Sequence, residues 1–160
     1  MNKAIFLDRD GVLVAEKGHY NFKSEHVIIN DGVIEALAEW QQKGYLLIVI
    51  TNQGGIAKRL YTHKHVKQFH KTLKDFFHSY KIKIHDFYYC PHHEKTGKCL
   101  CRKPDSLMLE KAMSKYKINP EKSYFIGDSD RDKEAGEKAG LTPVLIEAND
   151  NLSNYLNRVE

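Results

Sequence analysis

The six residues Tyr45–Ile50, with the sequence YLLIVI, constrain the fold of this chain more than any other stretch. A continuous apolar run of this length is typical of a strand that is buried on both faces of a parallel sheet. Four further short strands are predicted at 4–7, 84–89, 123–126 and 142–146. Segments with apolar residues at helical spacing separate the strands, so the pattern predicts an α/β fold.

The predicted helices carry their own start and stop signals. Asp31 and Asp105 are predicted to cap two helices at their N-termini, and Gly44 ends the first of these. The longest helix is predicted from Thr62 to about residue 80. Its histidines are interpreted as surface residues rather than ligands: His63, His65, His70 and His78.

The length of 160 residues is enough for one domain with its own core, and we expect a single domain over residues 1–160. The net charge of +4 suits an anionic small molecule, whereas the scatter of basic residues argues against nucleic acid as a partner. No apolar stretch has the length of a membrane span, and no signal-peptide core precedes the first strand. We therefore expect a cytoplasmic protein without membrane contact and, since nothing indicates assembly, a monomer.

All three cysteines lie in residues 90–101, which we call the metal loop. An odd, clustered set of cysteines argues against a disulfide framework and favours a metal site. Three thiols and one imidazole can close a tetrahedral zinc site whose ligands all come from protein, which is typical of a structural zinc. The candidate ligands are Cys90, Cys99, Cys101 and either His92 or His93, between which the spacing does not choose.

Polar side chains are predicted to meet at the carboxyl ends of the strands. Asp8 and Asp10 follow the first strand, Thr51 the second and Asp128 the fourth, while Lys103 follows the metal loop. Because ligands bind at this edge of a parallel sheet, we expect these side chains to share one cleft. Three converging carboxylates repel one another unless a cation such as Mg²⁺ lies among them. An added ammonium and hydroxyl suit phosphoryl transfer through an aspartyl-phosphate, with a second carboxylate as acid and base.

Two polar stretches each leave two interpretations open. The residues 51–55 either bring backbone N–H groups close to an anion or form a plain turn. The long loop 12–30 either lines the mouth of a pocket or is a solvated surface loop.

These residues resemble the haloacid dehalogenase superfamily of phosphatases, in the order of its motifs. The resemblance implies a three-layer, Rossmann-like parallel sheet with helices on both faces and a Mg²⁺-dependent phosphatase activity. It implies that Asp8 is the nucleophile and Asp10 the general acid/base, while Thr51 and Lys103 hold the phosphoryl group. Mg²⁺ would be held by Asp8, the backbone carbonyl of Asp10, and Asp128. The matching motifs are Asp8-x-Asp10-Gly11, Thr51, Lys103, and Gly127-Asp128 with Asp132.

A narrower resemblance is to the D-glycero-D-manno-heptose 1,7-bisphosphate 7-phosphatase family. It rests on Asp8–Gly11, Thr51–Gln53, Cys90–His92 and Cys99–Pro104. It implies no large cap domain, hydrolysis of the 7-phosphate of that sugar, and a role in making nucleotide-heptose for the bacterial cell envelope. It also implies zinc ligation by Cys90, His92, Cys99 and Cys101. The implied substrate-binding residues are Glu16, Lys17, Gly18, His19, Asn52, Gln53, Gly54 and Arg102.

Two alternatives accompany this hypothesis. The histidinol-phosphate phosphatase domain shares most of the motifs and has a similarly short zinc loop, whereas Glu16-x-Gly18 favours the heptose enzymes. Gly54 departs from the serine usual in those enzymes, and His19 separates Gly18 from Tyr20. A third hypothesis is a zinc-stabilised binding module without catalysis. The intact set of candidate catalytic residues argues against it.

Overall fold

The computed structural model describes residues 1–160 and contains one sheet of five parallel strands. The strands are β1 (Lys3–Leu7), β2 (Tyr45–Asn52), β3 (Asp86–Cys90), β4 (Tyr124–Gly127) and β5 (Thr142–Leu145). Their order across the sheet is β3-β2-β1-β4-β5. The order reverses between β1 and β4, which is where ligand crevices form in doubly wound sheets.

The helices alternate with the strands, which confirms the predicted α/β pattern. They are α1 (Val33–Gln42), α2 (His63–Ser79), α3 (Leu107–Tyr116) and α4 (Asp130–Lys138). Short 3₁₀ segments cover Ser24–His26, Pro120–Lys122 and Leu152–Arg158. No helix combines the length and the apolar character that crossing a bilayer requires.

The central strand β1 is buried on both faces, and its side chains alternate between two cores. Ile5 and Leu7 belong to the core formed with α1 and α2, which includes Trp40 and Phe69. Phe6 points to the opposite face, into the core formed with α3 and α4. The predicted three layers, with helices on both faces of the sheet, are thereby confirmed.

The caps of two helices differ from the sequence prediction. The N-cap of α1 is Gly32, with φ of +74°, and not Asp31, which is exposed and accepts a hydrogen bond from Leu152 through its backbone carbonyl. Asp105 likewise is not the N-cap of α3, since Ser106 occupies that position. In α1 the chain enters the helix through a left-handed residue, a conformation that glycine adopts without steric cost.

The helix α2 begins as predicted but buries a residue that was expected on the surface. The Thr62 side chain accepts a hydrogen bond from the backbone N–H of His65, which closes the first turn. His63, His65 and His78 are exposed, whereas His70 is only 6% exposed. The prediction for His70 was therefore wrong, because this residue lies on the inner face beside Phe69.

A side chain should be poorly tolerated at Gly32, the N-cap of α1. A Cβ atom there would overlap the Asn151 side chain and lie 2.6 Å from the backbone nitrogen of Ser153. We expect Gly32→Ala to lower the free energy of unfolding by about 2 kcal/mol, since it adds both strain and overlap. Urea denaturation measures the loss, with the exposed Asp31→Ala as the control, which should stay within about 0.5 kcal/mol of the wild type. Equal losses in the two variants would contradict the assignment of Gly32 as the cap.

Candidate active site

A cavity of about 150 Å³ opens at the carboxyl edge of the sheet, between the ends of β1, β2 and β4. Four of the predicted catalytic residues lie in its wall, and the carboxylate of Asp128 lies within 4.8 Å of those of Asp8 and Asp132. We call this space the phosphoryl cavity. Its lining residues are Asp8, Asp10, Thr51, Asn52, Lys103, Ser129, Arg131 and Asp132.

The ammonium group of Lys103 is buried behind this cavity. Its Nζ atom donates to Asp8 Oδ1 at 3.0 Å and to the carbonyl oxygen of Ile50 at 3.0 Å, and it lies 2.7 Å from Asp132 Oδ1. An ammonium has three N–H donors, so every donor has a protein acceptor. Burial alone would lower the pKa of Lys103, but the two carboxylates outweigh it and raise that pKa, which keeps the side chain charged.

Asp132 is the partner of Lys103 to which sequence reasoning assigned no role. Its second oxygen accepts hydrogen bonds from the backbone N–H groups of Asp128 and Ser129, each at 3.2 Å, and from the Ser129 hydroxyl at 3.0 Å. The carboxylate therefore orients both Lys103 and the turn that carries Asp128. The sequence contained a signal for this contact with the turn. Asp132 lies three residues after Ser129, the N-cap of α4, and this is the acidic position of a capping box.

The carboxylates of Asp8, Asp128 and Asp132 converge at the end of β1 and form a candidate site for a hard cation. Burial raises the pKa of Asp8 well above its usual range, and the neighbouring Asp132 and Asp128 add to this despite the opposing charge of Lys103. Gly11 makes room for the Asp128 carboxylate, because a Cβ at that glycine would overlap it. An all-oxygen donor set with excess negative charge fits Mg²⁺.

Asp10 is held on its far side by Arg9, which is completely buried. The Arg9 Nε donates to Asp10 Oδ1 at 3.1 Å and its Nη2 to Oδ2 at 2.9 Å, a bidentate pair. Asn21 Nδ2 at 3.0 Å and Gln53 Nε2 at 3.1 Å complete the acceptor sites of the carboxylate. The Arg9 Nη1 lies 3.2 Å from His70 Nε2.

The Arg9 guanidinium lowers the pKa of both titratable groups that it contacts, Asp10 and His70. Burial raises the pKa of Asp10, but the Arg9 charge and the hydrogen bonds outweigh it and bring that pKa below its usual value. Burial, together with the same guanidinium, lowers the pKa of His70 to about 3. His70 is therefore neutral, and its Nε2 can accept a hydrogen bond from Arg9.

Asn52 and Gln53, which were predicted to touch substrate, hydrogen-bond to three of the predicted catalytic residues. The Asn52 side chain accepts from the backbone N–H of Lys103 at 3.0 Å and donates to its carbonyl at 3.1 Å. Gln53 Nε2 donates to Thr51 Oγ1 at 2.8 Å as well as to Asp10. Tyr61 donates to Gln53 Oε1 at 2.6 Å, which fixes the orientation of the amide.

A second cavity of about 380 Å³ adjoins the phosphoryl cavity, with Asp10 and Asn52 in both walls. The loop 12–30 supplies most of this wall, and Asn149 holds that loop by pairing with the backbone N–H and carbonyl of Glu16, each at 2.7 Å. Of the predicted substrate residues, Lys17, Gly54 and Arg102 lie outside both walls. The lining residues are Asp10, Glu16, Gly18, His19, Tyr20, Asn21, Asn52 and Gln53.

The metal loop brings three thiols and one imidazole together, with all four ligand atoms within 4.8 Å of one another. His92 Nδ1 lies 3.4 Å from Cys90 Sγ and 3.3 Å from Cys101 Sγ, and Cys99 completes the group. The Nδ1 atom of His93 instead accepts a hydrogen bond from the backbone N–H of Lys95. Between the two histidines that the spacing left open, the structure favours His92 as a ligand, and the set suits a tetrahedral zinc.

Comparisons with known proteins agree with this geometry. The family described as polynucleotide kinase 3 phosphatase matches residues 3–143. A D-glycero-beta-D-manno-heptose-1,7-bisphosphate 7-phosphatase from Haemophilus influenzae is 40% identical over 141 residues, covering 85% of this chain and 76% of that protein. A histidine biosynthesis bifunctional protein HisB from Legionella pneumophila is 33% identical over 147 residues, covering 91% of this chain and 42% of that protein.

The fold is also similar to a solved structure. A D,D-heptose 1.7-bisphosphate phosphatase from B. bronchiseptica, in complex with magnesium and phosphate, has a TM-score of 0.85 and 28% sequence identity. The match covers 98% of this chain and 86% of that chain.

Acidification should destabilise the protein through His70. Its pKa of about 3 in the fold lies below the value of about 6.5 expected in the unfolded chain, so below pH 6.5 the unfolded state binds more protons. His70→Gln removes this titration but keeps an acceptor for Arg9. Between pH 7.5 and pH 5.5, the wild type should lose about 1.4 kcal/mol more unfolding free energy than the variant, as measured by urea denaturation. Equal losses would show that His70 is protonated in the folded protein.

Proposed function

The chain belongs to the polynucleotide kinase 3 phosphatase family within the haloacid dehalogenase superfamily, and from this premise we propose that it removes the 7-phosphate of D-glycero-D-manno-heptose 1,7-bisphosphate. The observation that carries the proposal is the phosphoryl cavity, whose wall brings together Asp8, Asp10 and Lys103. The named activities of the Haemophilus and B. bronchiseptica proteins support this substrate. The product would feed the synthesis of nucleotide-heptose for the cell envelope.

In the first step Asp8 is the nucleophile. Lys103 and the backbone N–H of Arg9 both donate to its Oδ1, at 3.0 and 2.8 Å, and so orient the carboxylate. Attack forms a bond between an Asp8 oxygen and phosphorus and breaks the bond from phosphorus to the sugar oxygen, which takes a proton from Asp10. The Thr51 oxygen accepts from Gln53 at 2.8 Å, and its own proton has only a long contact of 3.5 Å to the Asn52 carbonyl, which it can exchange for a phosphoryl oxygen.

In the second step water attacks the phosphorus of the aspartyl-phosphate, and Asp10 accepts its proton. The bond between Asp8 and phosphorus breaks, and inorganic phosphate leaves. The lowered pKa of Asp10 favours its carboxylate form, which is the form that this base step requires. For the acid step, one Asp10 oxygen must first give up a hydrogen bond from Arg9, Asn21 or Gln53, because all its acceptor sites are used.

Asp8, Asp128 and the backbone carbonyl of Asp10 are the proposed ligands of Mg²⁺. Asp132 is the less available carboxylate in the cluster, since Lys103 and the Ser129 turn occupy its oxygens. When bound, the ion would neutralise charge on the phosphoryl oxygens.

We also propose that the metal loop holds a structural zinc through Cys90, His92, Cys99 and Cys101. The zinc would order the residues that immediately follow Cys101, which are Arg102 and Lys103. The Arg102 guanidinium donates to the His92 carbonyl at 3.1 Å, and we propose that it binds the second phosphate or a hydroxyl of the substrate. We further propose a cytoplasmic location, because the three cysteines cluster as metal ligands rather than as a disulfide framework.

Histidinol phosphate is the second candidate substrate. The name of the Legionella protein assigns it to histidine biosynthesis, and that protein aligns with 91% of this chain. The catalytic steps would be the same, and only the contacts to the rest of the substrate would differ.

Phosphate release with Mg²⁺ from the heptose bisphosphate and from histidinol phosphate, measured in parallel, separates the two candidates. We expect kcat/KM for the heptose bisphosphate to be higher by about tenfold or more. Asp8→Asn should reduce release by about a thousandfold or more, because it removes the nucleophile. Asp75→Asn, on the exposed face of α2, is the matched control and should keep full activity. A preference for histidinol phosphate would overturn the proposed substrate.

Loss of zinc should reduce activity although Asp8 and Asp10 remain in place. Cys99→Ser should lower the zinc content from one ion per chain, measured by atomic emission, and reduce kcat/KM by about a hundredfold, because Lys103 moves out of position. The control is Lys95→Ala, an exposed residue of the same loop. Full activity in a folded, zinc-free protein would contradict the proposed role of the metal.

A further inference from the structure

Arg131 is a cation in the wall of the phosphoryl cavity to which no motif assigns a role. It is the second residue of α4, and its side chain is 49% exposed. It forms one ion pair, with Glu94 of the metal loop, in which Arg131 Nη2 lies 3.8 Å from Glu94 Oε1. This distance is too long for a hydrogen bond, and an exposed ion pair of this kind contributes little stability.

The other cations near the cavity have no donors to offer an incoming anion. The three N–H donors of Lys103 all face protein acceptors, as described above. The Arg9 guanidinium is completely buried and is bound to Asp10 and the Asn21 carbonyl, behind the cavity. Arg131 makes no hydrogen bond to the protein through its five N–H groups, so it is the lining cation whose donors are free.

The negative charge of the cavity wall favours a cationic donor for an incoming anion. Asp8, Asp10 and Asp132 line the cavity, and the charge of Lys103 is shared between two of them. A phosphate ester brings further negative charge into this space. A planar guanidinium matches two phosphate oxygens with parallel N–H donors, which an ammonium cannot do.

We propose that Arg131 binds the phosphoryl group directly, exchanging its weak contact with Glu94 for the oxygens of the phosphate. This assignment rests on the proposed phosphatase function and adds a substrate contact to it. Because Glu94 lies in the metal loop, this weak ion pair places the guanidinium beside the phosphoryl cavity, and an incoming anion can replace Glu94. The exchange conserves an ion pair, since one acidic partner replaces another.

Binding of inorganic phosphate, measured by isothermal titration calorimetry in the presence of Mg²⁺, tests the contact without turnover. We expect Arg131→Ala to weaken binding by about tenfold or more and Arg131→Lys to weaken it less, since a single ammonium donates to fewer oxygens. The matched control is Lys133→Ala, an exposed cation of α4 that does not line the cavity. It should bind phosphate within about twofold of the wild type, since it removes only a screened surface charge.

Glu94→Gln tests whether phosphate replaces Glu94 at Arg131, because it removes the carboxylate charge that competes with phosphate for the guanidinium. This variant should bind phosphate at least as tightly as the wild type. A loss as large as that of Arg131→Ala would overturn the exchange, and wild-type binding by Arg131→Ala would overturn the contact itself. Circular dichroism confirms that each variant is folded.

The proposed phosphatase function and the proposed Arg131 contact can each be refuted without the other. If the wild type releases no phosphate from any tested ester but Arg131→Ala still weakens phosphate binding, the proposed function is wrong and the Arg131 contact holds. If the wild type is active and Arg131→Ala keeps both its phosphate affinity and its KM, only the Arg131 contact is wrong.

Discussion

The buried ammonium of Lys103 is the interaction on which the site depends. It joins the end of β1, through Asp8, to the carbonyl of Ile50 in β2 and to Asp132 in α4. A buried charge is tolerated only where partners and hydrogen bonds compensate for its lost hydration, and here all three donors are used. Since Lys103 follows two residues after Cys101, the metal loop fixes the starting point of this bridge. The distance between the Asp8 carboxylate and the Lys103 ammonium therefore depends on the metal loop, which has little apolar packing of its own.

A second layer of side chains holds the proposed catalytic groups on the side away from the cavity. Arg9 and Gln53 bind Asp10, and Asn52 binds both backbone polar groups of Lys103. These residues surround the cavity as a continuous hydrogen-bonded network in which nearly every donor has an acceptor. Such a network fixes the geometry before substrate binds, which is how phosphoryl transfer is accelerated when positioning is the main contribution.

Much of the fold and the convergence of the candidate catalytic residues followed from the sequence, for an identifiable reason. Apolar runs mark the strands, and polar residues at their carboxyl ends must meet at one edge, so Asp8 and Thr51 could be placed without coordinates. The features that were missed depend on contacts between distant segments. Gly32 replaces Asp31 as a cap where the chain packs against Asn151, and His70 is buried because Arg9 approaches it from another element. The inward spacing of His70 with Val66 and Phe69 was a signal, but histidine alone gave no reason to prefer the core.

The three converging carboxylates have a consequence for the order in which ligands are held. Asp8, Asp128 and Asp132 share a small space with only Lys103 as an internal counter-charge. A divalent cation and a phosphate ester dianion entering together leave the total charge of this space unchanged, whereas either one alone alters it by two. Each ligand therefore strengthens the binding of the other, and thermodynamic linkage requires the two effects to be equal. With magnesium in the proposed site, the apparent affinity for a phosphate ester would therefore rise with the magnesium concentration.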